Sequence, residues 1–167
     1  TSIAFLGASS VQSGPMPNVA ITSMAVVWIG LLGSNAALIL RFSTNSGLPE
    51  NIGTDTLFLV VAGVIANDVG ALMVGSSAGR RPLREWVSPG KTVEGFVGGA
   101  IASIVVVMII GTQSDTWNSF GEGLMLGVVI SVMGPLGDLV ESMFKRNLDI
   151  KDFGTVVPGH GGVLDRF

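Results

Sequence analysis

The chain has 167 residues, of which 48% are hydrophobic and only 13% charged, and its mean hydropathy is +0.64. Soluble domains carry about 25% charged residues, so this composition excludes an ordinary soluble domain and points to a polytopic membrane protein. The lack of Cys excludes disulfides and thiolate metal sites, and the net charge of -3 says less than the places where the charges fall.

Residues 1–18 hold a short apolar piece, Ile3 to Leu6, followed by Ser, Gly and Pro, without the basic n-region of a secretory signal peptide. Residues 19–40 are an uncharged run that stops at Arg41. About 22 residues at ~1.5 Å rise cover ~33 Å, enough for the ~30 Å hydrocarbon core, and this length argues against a buried soluble helix. A turn-rich loop, 42–55, leads to a second span at 56–78, in which Asp68 is the sole charge. The loop 79–91 carries Arg80, Arg81, Arg84 and Lys91. Its Gly90-Lys91-Thr92 is no phosphate-binding P-loop, because Glu85 stands where that motif needs Gly. Ser88-Pro89 reads instead as a helix start, with Ser as N-cap and Pro at the first position. Lys91 then falls in the first helical turn, where the helix dipole and the side chain both favour an anion.

A third span is expected at 93–111, with Gly95-x-x-x-Gly99 as a contact face, in keeping with a Gly content of 24 residues. Residues 112–122 form a polar loop with Asp115 and Glu122. The fourth span, 123–144, contains Pro135, which is expected to kink it. Of the 9 Lys and Arg, all but Arg41 lie in 80–91 and 145–166. Counting helices puts both regions on one side of the membrane, which the positive-inside rule makes cytoplasmic.

Asp68, Asp138 and Glu141 interrupt apolar segments. An Asp at a helix centre costs about 2.5–3.5 kcal/mol on insertion scales, so these carboxylates should face a shared interior or a watery cavity. Glu141 has Lys145 one turn on, and a simple ion pair explains it as well as a functional role does. Asp138 and Asp68 have no basic residue a turn away, so each needs a distant partner or an ion. A competing class of protein, a transporter or channel using these carboxylates as an ion or proton path, stays open from the helices alone.

The end of the chain is the most distinctive part. Ser142-x-x-Lys145-Arg146, Lys151-Asp152-x-Gly154 and Pro158-Gly-His-Gly-Gly-x-x-Asp165-Arg166 follow one another at fixed spacing. Asn67-Asp68-x-Gly70-Ala71 and Ser88-Pro89-Gly90-Lys91-Thr92-x-Glu94-Gly95 form an upstream pair of blocks. Together they resemble the phosphatidate cytidylyltransferases (CDP-diacylglycerol synthases) over residues 19–167. Leu72 and Val93 stand where that family often has aromatics. The family usually continues past Phe167 with a further Asp and an apolar segment, so residues 1–167 are read as one membrane-embedded catalytic domain, partial at both ends.

The resemblance implies an all-α polytopic membrane helix bundle, with about four transmembrane helices here and a cytoplasmic Gly-rich C-terminal loop. It implies transfer of cytidylyl from CTP to phosphatidic acid, giving CDP-diacylglycerol and pyrophosphate in phospholipid biosynthesis; a related lipid nucleotidyltransferase with another acceptor is the near alternative. The family's metal-binding aspartates map onto Asp138 and Asp165. Mg²⁺ suits such oxygen ligands, and K⁺ is implied as a second cofactor. Asp68 and Lys151 complete the expected catalytic set. Ser88, Lys91, Glu141, Lys145, Arg146, His160, Gly161, Gly162 and Arg166 are expected on the substrate side, where side-chain-free glycines let backbone N–H groups approach a phosphate. The expected partners are CTP, phosphatidic acid and membrane lipids, with a homodimer and no nucleic acid. The expected location is a bacterial inner membrane with the active site facing the cytoplasm.

Overall fold

The structure, a computed structural model, describes residues 15–41, 49–84 and 88–147. It contains helix α1 (Pro15–Arg41), helix α2 (Ile52–Ala78), strands β1 (Pro82–Arg84) and β2 (Ser88–Thr92), helix α3 (Val93–Gly111) and helix α4 (Phe120–Asn147). All four helices are long and apolar enough to cross a membrane. Contacts divide the chain into two units, Thr1–Leu57 and Phe58–Phe167.

In the first unit, α1 has little polar content to shelter. Ser34 Oγ and Asn35 Nδ2 both donate to the Leu31 carbonyl, at 2.9 and 2.8 Å, so these side chains are satisfied within their own helix. The turn into α2 is closed by the Ile52 N–H on the Pro49 carbonyl at 3.1 Å. Asp55 lies in the first turn of α2, where a carboxylate complements the helix dipole.

The second unit is a helix bundle in which α2, α3 and α4 each supply one fully packed apolar side chain: Leu59, Val107 and Ile130. Alternate faces of α3 explain how it sits. Gly95, Gly99, Ser103, Val107 and Gly111, four residues apart, are buried. Val97, Ile101, Val105 and Ile109, at the same spacing, are exposed, as side chains facing lipid would be. The small residues let backbones meet: a Cβ on Gly99 would lie 2.6 Å from the Asn67 carbonyl oxygen and 3.0 Å from the Ala71 Cβ.

Helix α4 runs on through Pro135 to Asn147. Proline has no N–H, so the carbonyl four residues back, Ser131, loses its helical donor. Asn67 Nδ2 on α2 donates to that carbonyl at 3.3 Å. The defect in one helix is thus repaired by a buried side chain of another, as non-aqueous surroundings require. Among the described residues, Asn67 Oδ1 and Ser103 Oγ are buried polar atoms without a partner.

The hairpin corrects the expected helix start at Ser88-Pro89. Residues Ser88–Thr92 are a strand, antiparallel to β1, with Pro82 opposite Thr92 and Arg84 opposite Ser88. The N-cap of α3 is Thr92, whose backbone is extended (φ -116°, ψ 155°) and whose Oγ1 accepts the Gly95 N–H at 3.1 Å. Pro89 is tolerated because every strand of a two-stranded ribbon has a free edge. Glu94, in the first turn of α3, accepts the N–H groups of Arg80 and Arg81 on Oε2 at 3.1 and 3.2 Å. Val93 N–H in turn donates to the Arg81 carbonyl at 2.9 Å. These bonds tie the hairpin to the helix that follows it.

Candidate functional site

At the hairpin end of the second unit, α2, the two strands, α3 and α4 enclose a cavity of about 240 Å³. Asp68 on α2 lies nine residues beyond the core residue Leu59, which is ~14 Å along the helix axis. The cavity thus runs from the hairpin inward along α2 as far as Asn67 and Asp68, beyond which the apolar core begins. Its polar lining is Asn67, Asp68, Lys91, Thr92 and Asp138, and Leu72, Leu83 and Phe96 supply apolar walls.

Each charged residue reaches the cavity for a local reason. Asp68 follows the buried Asn67, which is held by its bond to Ser131. Lys91 directly precedes the Thr92 cap, which is paired with Pro82 across the hairpin and so anchors it on one side. Asp138 lies three residues past Pro135 on α4. Lys91 Nζ forms an ion pair with Asp138 Oδ2, and the two side chains are 28% and 49% exposed. The pair is half shielded, so it is stronger than a fully solvated one but free of the large desolvation cost of a buried one. Asp68 has no hydrogen-bond or ion-pair partner among the described residues. Two carboxylates therefore share one cavity with one ammonium, an arrangement that favours a further cation or the N–H donors of a ligand.

Of the residues expected from sequence, the fold brings together Asp68, Lys91 and Asp138. Ser88 instead pairs with Arg84 at the start of β2. Lys145 Nζ donates to Glu141 Oε1 at 2.8 Å, an ion pair one turn apart on α4, and Arg146 is exposed in the last turn of α4. Lys151, His160, Gly161, Gly162, Asp165 and Arg166 lie outside the described residues. Among the described residues there is no group of three or more carboxylates or His that could hold a metal by themselves. The contributions of Asn67 and Glu94 were not anticipated. Pro135 is the signal that a neighbouring donor is needed near Ser131, but it does not say which residue provides it.

The family model described as the cytidylyltransferase family matches residues 3–167. The chain is similar to the phosphatidate cytidylyltransferase of Bacillus subtilis (strain 168), 42% identical over 118 residues, 71% of this chain and 44% of the relative. It is 38% identical over 154 residues to that of Mycobacterium tuberculosis (strain ATCC 25618 / H37Rv), covering 90% of this chain and 43% of the relative. It is 46% identical over 100 residues to that of Staphylococcus saprophyticus, covering 60% of this chain and 38% of the relative. The chain thus spans less than half the length of these curated relatives. No solved structure matches it.

Proposed function

Because this chain belongs to the cytidylyltransferase family, we propose that the whole protein transfers cytidylyl from CTP to phosphatidic acid, giving CDP-diacylglycerol and pyrophosphate. An oxygen of the lipid phosphate forms a bond to the α-phosphorus of CTP, the bond from that phosphorus to the β-phosphate bridge breaks, and pyrophosphate leaves with the electron pair. The observation that carries this reading is the cavity between the hairpin and the membrane-spanning helices, with Asp68, Lys91 and Asp138 at its polar part and Leu72, Leu83 and Phe96 on its walls. A water-soluble nucleotide and a lipid headgroup can meet only at such a boundary. The transporter alternative finds no support in the family or in the relatives.

The residues present fit a divalent cation such as Mg²⁺. The donors are carboxylate oxygens, Asp68 has no partner among the described residues, and Mg²⁺ typically takes one or two carboxylates beside substrate phosphates. Asp138, with Asp165, would hold it, and when bound it supplies neutralisation of the nucleotide's phosphate charge. K⁺ belongs to the same proposal as a second cofactor. Lys91 offers its ammonium to a phosphate oxygen, and Asp68 keeps the cavity wall polar. Lys151 and Arg166 are proposed to bind the triphosphate from the C-terminal segment. The apolar walls accept the glycerol and first acyl carbons of the lipid.

The test is turnover of labelled CTP by the full-length protein in vesicles offering a panel of phospholipid acceptors. Labelled CDP-diacylglycerol is expected with phosphatidic acid and a divalent cation. Transfer to a different acceptor alone, or no CTP turnover with any acceptor, would overturn the reading.

The active site is proposed to face the cytoplasm of a bacterial inner membrane, in a homodimer. The support for the orientation is the placement of basic residues in 80–91 and 145–166. Single Cys residues placed in this Cys-free chain report the topology. Position 115 should react with a membrane-impermeant thiol reagent on intact cells, and positions 84 and 151 only after lysis. The reverse pattern would invert the topology.

A further inference from the structure

The Lys91–Asp138 pair joins a hairpin to a helix across the cavity, between residues 47 apart in sequence. Both residues line the cavity. The other carboxylates nearby are differently engaged. Glu94 accepts backbone N–H groups of Arg80 and Arg81, and Glu141 pairs with Lys145. Asp68 lines the same cavity and has no such partner among the described residues. The backbone under Lys91 is held between the paired residues Ser88 and Thr92 and by the Thr92 cap. Its ammonium, on a flexible four-carbon stem, can move without that backbone moving.

We propose that Lys91 is an exchangeable counter-ion of Asp138, which competes with a divalent cation for that carboxylate and turns to a phosphate oxygen when displaced. This rests on the cytidylyl-transfer reading for the identity of the cation and the phosphate. An ammonium covering Asp138 Oδ2 blocks an oxygen that a cation would use. Both are positive, so their simultaneous binding at one carboxylate is disfavoured by repulsion as well as by space. A phosphate arriving in the cavity gives the displaced ammonium a new anion within reach. Cation and nucleotide then assist each other's binding through one lysine, and neither is held strongly without the other.

The experiment uses the full-length protein and Mn²⁺ alone, with free Mn²⁺ followed by electron paramagnetic resonance. Lys91→Gln is expected to bind Mn²⁺ about fivefold more tightly than the unaltered protein, the upper range for a partly exposed ion pair. Lys91→Arg, which keeps the charge, should stay near the unaltered value. Arg84→Gln removes a positive charge from the exposed side of the hairpin and should change nothing, which separates direct competition from a general field effect. Asp138→Asn should abolish the gain when combined with Lys91→Gln. A second measurement needs no variant: Mn²⁺ should raise the rate at which Lys91 is acetylated in the unaltered protein, read by mass spectrometry, and leave Lys145 unchanged. Equal Mn²⁺ affinity with and without Lys91, or an acetylation rate that Mn²⁺ leaves unchanged, would overturn the exchange. CTP turnover of the unaltered protein judges the cytidylyl-transfer reading separately. Turnover without any Lys91 effect leaves that reading standing, and no Mn²⁺ binding together with no turnover sinks both.

Discussion

Asp138→Asn in the full-length protein is expected to lower CTP turnover by about a hundredfold or more, the scale seen when charge stabilisation of a phosphoryl-type transfer is lost. Asn keeps the size of the side chain and removes its charge. Asp138 lines the cavity with Asp68 and pairs with Lys91, so the change weakens the cation's proposed hold and frees Lys91 from its partner at once. The structural cost should be small. The pair is half exposed, and such pairs contribute less than about 1 kcal/mol, so the variant should still insert and fold. Loss of rate then reports on chemistry and not on the amount of protein. Asp165→Asn should act on the same proposed pair, and the double variant should be little worse than either single, because residues acting as a unit are not additive. The measurement is Mg²⁺-dependent turnover normalised to protein recovered in membranes. Near-normal rates for Asp138→Asn would remove Asp138 from the proposed metal site.

Gly99→Val is expected to prevent stable assembly of the second unit. Even the first carbon of a side chain at this position would fall 2.6 Å from the Asn67 carbonyl oxygen and 2.9 Å from Asn67 Oδ1. The obstacle is backbone of α2, which cannot rotate away as a side-chain tip does. Overpacking typically costs about 1–3 kcal/mol, and here it also strains the residue whose Nδ2 serves the Ser131 carbonyl. Two elements of packing would therefore be lost together, with the cavity they position. Gly137→Ala is the matching control, because a Cβ there meets nothing within 4 Å among the described residues and Ala raises helix propensity by up to about 1 kcal/mol. Thermal unfolding in detergent should show a large loss for Gly99→Val and no loss for Gly137→Ala. Equal behaviour of the two would show that the close approach of α2 and α3 does not matter to stability.

The spans were legible because a bilayer imposes a local demand. About twenty apolar residues must run together, and nothing distant has to be known to count them. The expected third span, 93–111, coincides with α3, and the fourth, 123–144, falls inside α4 (Phe120–Asn147). Asp68 and Asp138 stood out for the same reason, since a carboxylate in an apolar segment is costly wherever the chain folds. The glycine pattern on α3 announced a contact face, though not that Asn67 would fill it.

The hairpin was decided by the tertiary structure. Ser88 and Thr92 are both good caps locally, and Pro89 suits either a first helical turn or a free strand edge. Pairing with Pro82–Arg84 and the Glu94 clamp on Arg80 and Arg81 select Thr92, and these are contacts between separated residues. The partner of Asp138 is a second case. The sequence offers several cations, and the neighbouring turns of α4 hold none that meets it. Lys91 reaches it because the hairpin and α4 line the same cavity. Pro135 is the third. Its missing N–H could be read directly, as could the orphaned carbonyl four residues before it. That Asn67 supplies the donor follows from the register of α2 against α4, which is set by side-chain packing across helices and by no periodicity within one.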